Sequence, residues 1–161
     1  MASLQIPIVA LTATICIGMA LLGGILAGDA LKSWYPRLAK PWFQVPLWAF
    51  IGVGIIGYFM DGIILYRLLA YVPSGSGKVI SVSMMLIVML YNELWNGAFF
   101  RLRSTFVGFV GVVAFLVPLA MLQIALALNE STSAWLLLVY VVWVLLYDVP
   151  WAYALWRLNP A

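Results

Sequence analysis

The sequence has no histidine, one cysteine and little charge: Lys and Arg together number 8, Asp and Glu 5. Lacking histidine, it lacks the commonest metal ligand and the side chain that ordinarily titrates near neutrality. Three acids, Asp61, Glu93 and Asp148, fall inside apolar segments but have no second acidic partner at helical spacing, so no metal site is expected. Cys16 stands alone, which excludes a disulfide within the chain. Charged residues make up 8% of the chain, against roughly 25% in a soluble domain. A water-soluble globule of this composition could not cover its surface. The net charge of +3 is small and scattered, and gives no footing for nucleic acid.

What is abundant is apolar: 66% hydrophobic residues and a mean hydropathy of +1.13. Lipid suits such a chain, because apolar side chains facing acyl tails need no covering. One span takes about 20 residues. The 161 residues therefore hold five spans with short loops, an all-α integral membrane bundle forming a single domain over 1–161. The spans fall near 4–27, 46–69, 79–100, 105–128 and 134–156. The first lacks a basic leader and is long for a signal peptide, so it is expected to be a retained helix. Ala20, Gly24 and Gly28 form a smooth stripe for close helix approach, and Gly108 and Gly111 offer a second. Either stripe suits a dimer contact or a contact within the chain. Pro118 predicts a kink in the fourth span. Pro73 to Lys78 reads as a flexible connector, and Asn129 to Ser133 as a turn whose Ser or Thr caps the last helix. Lys32, Arg37, Lys40, Arg101, Arg103 and Arg157 fall on one side, Arg67 and Lys78 on the other. The positive-inside rule then puts the first loop and C-terminus in the cytoplasm, and the N-terminus outside.

Aromatic residues are the second excess, with eight each of Trp, Tyr and Phe. Some suit interfacial belts, as do Trp34, Tyr35, Trp42 and Trp156. Others share helix faces: Asn92, Trp95 and Phe99; Tyr140, Trp143 and Tyr147; Tyr58, Asp61 and Leu65. Aromatic faces with polar tips suit a flat, largely apolar ligand. Core packing gives the same stripes, and periodicity does not separate the two readings. Each intramembrane acid likewise either bonds a neighbouring helix or meets a ligand's N–H groups or a cation.

One pattern of motifs runs through nearly the whole chain. Trp34-Tyr35, then Leu38-Ala39-Lys40-Pro41, then Pro46 and Trp48, resembles the first-loop signature of the TspO/translocator protein family, the tryptophan-rich sensory proteins. Tyr58 and Gly62 resemble its second-helix motif. Asn92, Trp95, Phe99 and Phe100 resemble its third, Tyr140 and Trp143 its fifth, and Leu158-Asn159 its closing pair. The resemblance implies a five-helix bundle, a homodimer, and binding, transport or sensing of a tetrapyrrole, a sterol or a similarly flat ligand. The implied ligand site is Trp48, Tyr58, Asp61, Asn92, Trp95, Phe99, Tyr140 and Trp143, with no catalytic residue assigned. Lys32, Arg37 and Lys40 would meet propionates at the loop. No cofactor is required, and without histidine a metal-free porphyrin or an open-chain bilin fits better than haem. In the bilin case Asp61 would accept from pyrrole N–H groups. The sequence departs from the pattern at Val45, Gly54, Val88 and Val139, and at Asp61, Tyr147 and Asp148. Gly54 replaces a pocket tryptophan associated with porphyrin breakdown, which enlarges the expected cavity. Two alternatives are an oxidative tetrapyrrole-degrading enzyme using Trp143, and a proton- or cation-coupled transporter using Asp61, Glu93 and Asp148.

Overall fold

The apolar composition resolves into five membrane-spanning helices in a computed structural model that describes residues 4–160. Helix α1 is Ile6–Ala27, followed by a one-turn α2 (Ala30–Ser33) and a 3₁₀ turn (Tyr35–Arg37) in the first loop. Helices α3 (Leu47–Tyr71), α4 (Ser76–Arg101) and α5 (Thr105–Asn129) follow. The fifth span is composite: α6 (Ser131–Trp143), a π-helical turn (Val144–Asp148) and α7 (Val149–Leu158). No strand occurs among the described residues. The bundle is all-α.

Helix ends follow local chemistry. Gly28, at φ 57°, ends α1 in a conformation that costs glycine little. Ser104 caps α5 by accepting from the Val107 N–H. The connector before α4 is shorter than the sequence suggests, because Ser76–Lys78 already form the first turn and Lys78 Nζ donates to the Leu69 carbonyl at 2.6 Å. The cap of α6 is Glu130 rather than a Ser or Thr; its carboxylate accepts from the Ser133 N–H at 2.7 Å. Helix α5 continues as α-helix through Pro118.

Glu130 also ties α3 to the α5–α6 corner. Arg67 Nε and Nη2 donate to its two oxygens at 3.0 and 2.8 Å, a bidentate pair. The Arg67 bonds hold the Glu130 carboxyl down to about 2, outweighing the opposing effect of burial. The unperturbed value is 4.5, so the pair's stabilisation is complete above that pH and is lost as pH falls towards 2. The Glu130 side chain is 11% exposed and that of Arg67 27%, so solvent screens the pair only in part. Glu130→Gln is expected to cost about 2 kcal/mol at pH 7 and little at pH 2, read as thermal melts of the solubilised protein at the two pH values.

Two apolar cores build up inside the bundle. One gathers Ile64, Leu68, Met85, Met89, Leu122 and Leu126; the other gathers Tyr35, Phe99, Phe100, Trp151 and Leu155 under the first loop. Outside, large side chains such as Ile17, Ile25, Ile55, Phe59 and Leu146 are more than half exposed, as expected of a surface solvated by acyl chains. The stripe Ala20, Gly24 and Gly28 is not the contact within the chain: a Cβ at Gly24 or Gly28 would meet nothing within 4 Å. Its neighbour Gly23 is buried against α4 instead. Gly108 and Gly111 are taken up internally, with Phe99 and Trp95 rings lying where a Cβ would be, at 2.4 and 2.5 Å. Trp95 Nε1 donates to the Gly108 carbonyl and the Tyr91 hydroxyl to that of Gly111. Aromatic side chains fit into the glycine notch of α5.

The first loop folds back onto the end of the bundle. The Asn159 amide brackets Ala39, accepting from its N–H at 2.8 Å and donating to its carbonyl at 2.9 Å. Thr105 donates to the Asn159 carbonyl at 2.9 Å. The first loop, the α4–α5 turn and the chain end therefore meet at one end.

Candidate ligand chamber

Between the two cores lies a partly open chamber of about 200 Å³. Helices α3, α4 and α6 wall it, with contributions from α5 and α7. Of the expected ligand residues, Tyr58, Asp61, Asn92, Trp95, Tyr140 and Trp143 line it together. Two are elsewhere. Trp48 is 77% exposed on the outer face of α3. Phe99 is 1% exposed and packs within the loop-side core, its ring parallel to Trp95 at 5.5 Å and edge-on to Trp34 and Trp151. The stripe Asn92, Trp95, Phe99 is thus part chamber wall, part core.

The three basic residues assigned to propionates lie outside the chamber. Lys32 and Arg37 are exposed. Lys40 is committed to its own loop: its ammonium donates to the Tyr35 and Leu38 carbonyls and sits 4.3 Å above the Tyr35 ring. Burial lowers its pKa, and burial pushes the Tyr35 phenol up to about 12. Lys40 holds the loop shape.

Glu93 anchors the chamber's polar side. It is 1% exposed on α4 and accepts from the Tyr58 hydroxyl of α3, from Asn92 Nδ2 at 3.3 Å and from Asn96 Nδ2 at 3.2 Å. Gly23 of α1 makes room for it; a Cβ there would lie 1.8 Å from Glu93 Oε2. A carboxyl group at this depth is tolerated because its hydrogen-bonding capacity is met by neighbours.

Asp148 reaches the chamber through the π-helical turn. Pro150 has no N–H to give to the carbonyl four residues back, and its ring crowds that carbonyl; one wider turn at Val144–Asp148 absorbs the conflict. The turn places Asp148 so that Trp143 Nε1 donates to its Oδ1 at 3.0 Å, while Trp143 packs on Tyr147 with ring centroids 4.5 Å apart. Past the turn, Trp151 comes into the wall and donates to Gln44 Oε1 at 2.6 Å. The Tyr147 hydroxyl accepts from the Val45 N–H at 3.0 Å. The first loop is pinned to this part of the bundle. Tyr147→Phe is expected to leave the fold intact but to raise proteolysis of the first loop several-fold, since a partly buried hydrogen bond of this kind contributes about 1 kcal/mol; unchanged cleavage rates would count against the pin.

The motifs do not point to Asn96, Trp151 or Gly23. Asn96 lies four residues after Asn92 on the same face, a signal present in the sequence. Trp151 depends on the register change of the π turn, and Gly23 on which α1 face meets Glu93. Gly54, where a tryptophan was expected from the resemblance, lines the chamber, and a Cβ there would meet nothing within 4 Å.

A model of the TspO/MBR family matches residues 10–157 of the chain. Two similar proteins, each called tryptophan-rich protein TspO, come from Archaeoglobus fulgidus and Chlorobaculum tepidum. Both are 30% identical to the chain over 139 residues. The alignments cover 86% and 83% of this chain, and 87% of each relative.

Proposed function

The chain belongs to the TspO/MBR family of membrane proteins, and from that membership we propose that it binds a flat, largely apolar ligand, a tetrapyrrole or a compound of similar shape, in the chamber between its helices. The supporting observation is the convergence of Tyr58, Trp95, Tyr140 and Trp143 from α3, α4 and α6 on one cavity. Aromatic walls with a few polar groups are the usual make-up of a small-molecule site, and ring faces favour stacking on a planar ligand. The chamber is small beside the roughly 300–1,000 Å³ of typical ligand clefts. Its partly open boundary lets a ligand as large as a macrocycle enter in part and extend outwards.

Binding is the element of the reading that the chamber supports; transport or sensing would be a consequence of what binding does to the bundle. Trp95, Trp143 and Trp151 in the wall supply a built-in reporter. Titrating the purified protein with metal-free porphyrins and bilins is expected to quench tryptophan fluorescence saturably, with a sterol tested as competitor. Quenching that rises linearly without saturation for every compound would remove this reading.

A further inference from the structure

The geometry points to a chamber that selects ligands presenting N–H donors or positive charge, with Asp61 and Asp148 as the accepting groups. This rests on the reading of the chamber as a ligand site and names the class of ligand it takes. The argument is a census of the polar groups in the wall. Every indole N–H donor there is already used. The Trp95 indole donates to the Gly108 carbonyl, that of Trp143 to Asp148 and that of Trp151 to Gln44. The amides of Asn92 and Asn96 each spend one of their two N–H groups on Glu93, and the Tyr58 hydroxyl spends its only one there.

What remains is mostly acceptors, beside the second N–H of each Asn amide and the Tyr140 hydroxyl. Among the described residues no group donates to the Asp61 carboxyl, and Asp148 receives only the Trp143 indole, which leaves its Oδ2 unengaged. The side-chain oxygens of Asn92 and Asn96 are likewise unengaged, because it is their nitrogens that face Glu93. The Tyr140 hydroxyl keeps both roles. No Lys or Arg lines the chamber: Arg67 is paired with Glu130, Lys78 caps α3 and Lys40 is held in the first loop. A carboxylate-bearing ligand end pushed inside would meet acids and no cation, and buried like charges repel strongly. A protonated nitrogen or an N–H edge would find unspent acceptors on two separate helices, α3 and the π turn after α6. Such charge-assisted bonds are the strong ones.

Three probes of one shape separate the outcomes: 9-aminoacridine, a flat cation with N–H donors; anthracene, neutral; and anthracene-9-carboxylate, an anion. Each is titrated into the full-length protein in neutral detergent and followed by fluorescence. 9-Aminoacridine is expected to bind at least about tenfold tighter than anthracene, and the carboxylate weakest. Asp61→Asn and Asp148→Asn are each expected to weaken 9-aminoacridine about tenfold while leaving anthracene unchanged. Equal binding of all three probes overturns donor selection and leaves the chamber standing. Binding of none overturns the chamber reading as well. If Asp61→Asn does not fold, Asp148→Asn and the probe order in the unaltered protein still decide.

Discussion

Gly23→Val is expected to destabilise the bundle by about 3 kcal/mol or more, while Gly24→Val one residue on is expected to be close to neutral. The contrast is purely geometric. A Cβ at Gly23 would lie 1.8 Å from Glu93 Oε2 and 2.9 Å from its carboxyl carbon, whereas one at Gly24 meets nothing within 4 Å. Glu93 cannot simply swing aside, because Tyr58, Asn92 and Asn96 all donate to it. Moving it leaves three donors unpartnered in a medium without water, each at about 1–3 kcal/mol. A double-mutant cycle sharpens the test. Glu93→Ala is destabilising by itself, but with the carboxyl gone Gly23→Ala is expected to add little, giving a coupling energy of about 1 kcal/mol or more. Thermal or detergent unfolding of the four proteins measures it, and additive losses would refute the contact.

Gly54→Phe is expected to weaken ligand binding by at least about tenfold while changing stability by less than about 1 kcal/mol. Gly54 lines the chamber, and open space lies where its side chain would start. Gly54 is itself exposed, so a phenyl ring can start there without a clash, and turned inwards it occupies the volume a ligand needs. Saturable tryptophan quenching measured on both proteins, alongside their melting curves, reads the two effects. Full affinity in the variant would mean that the ligand binds somewhere other than among Tyr58, Tyr140 and Trp143.

The five spans were legible in the sequence because length and apolarity in lipid leave few alternatives to helices. Tyr58, Asn92, Tyr140 and Trp143 were implied as one site by the family motifs, and the fold brings them to one chamber; their stripes alone fitted core packing equally. Trp48, taken from the first-loop motif, and Phe99, taken from a helix stripe, do not line the chamber, since neither a motif nor a stripe says which face meets a neighbour. Trp48 looks outward, and Phe99 is taken up by the loop-side core. The small-residue stripe on α1 is not the contact within the chain for the same reason: Gly23, one residue off it, meets α4. The π turn depends on the conflict at Pro150, which the sequence contains but which helix periodicity alone does not reveal. Lys40 looked like a free cation in a basic loop until the fold supplied the Tyr35 and Leu38 carbonyls as its partners.

A structure determined with a saturating bilin or porphyrin tests the central claim most directly. The account predicts the ligand seated against Tyr140 and Trp143, its N–H edge towards Asp61 or Asp148. A ligand found only in the outward apolar groove of Leu94, Phe106 and Val110 between α4 and α5, with the chamber empty, would contradict it.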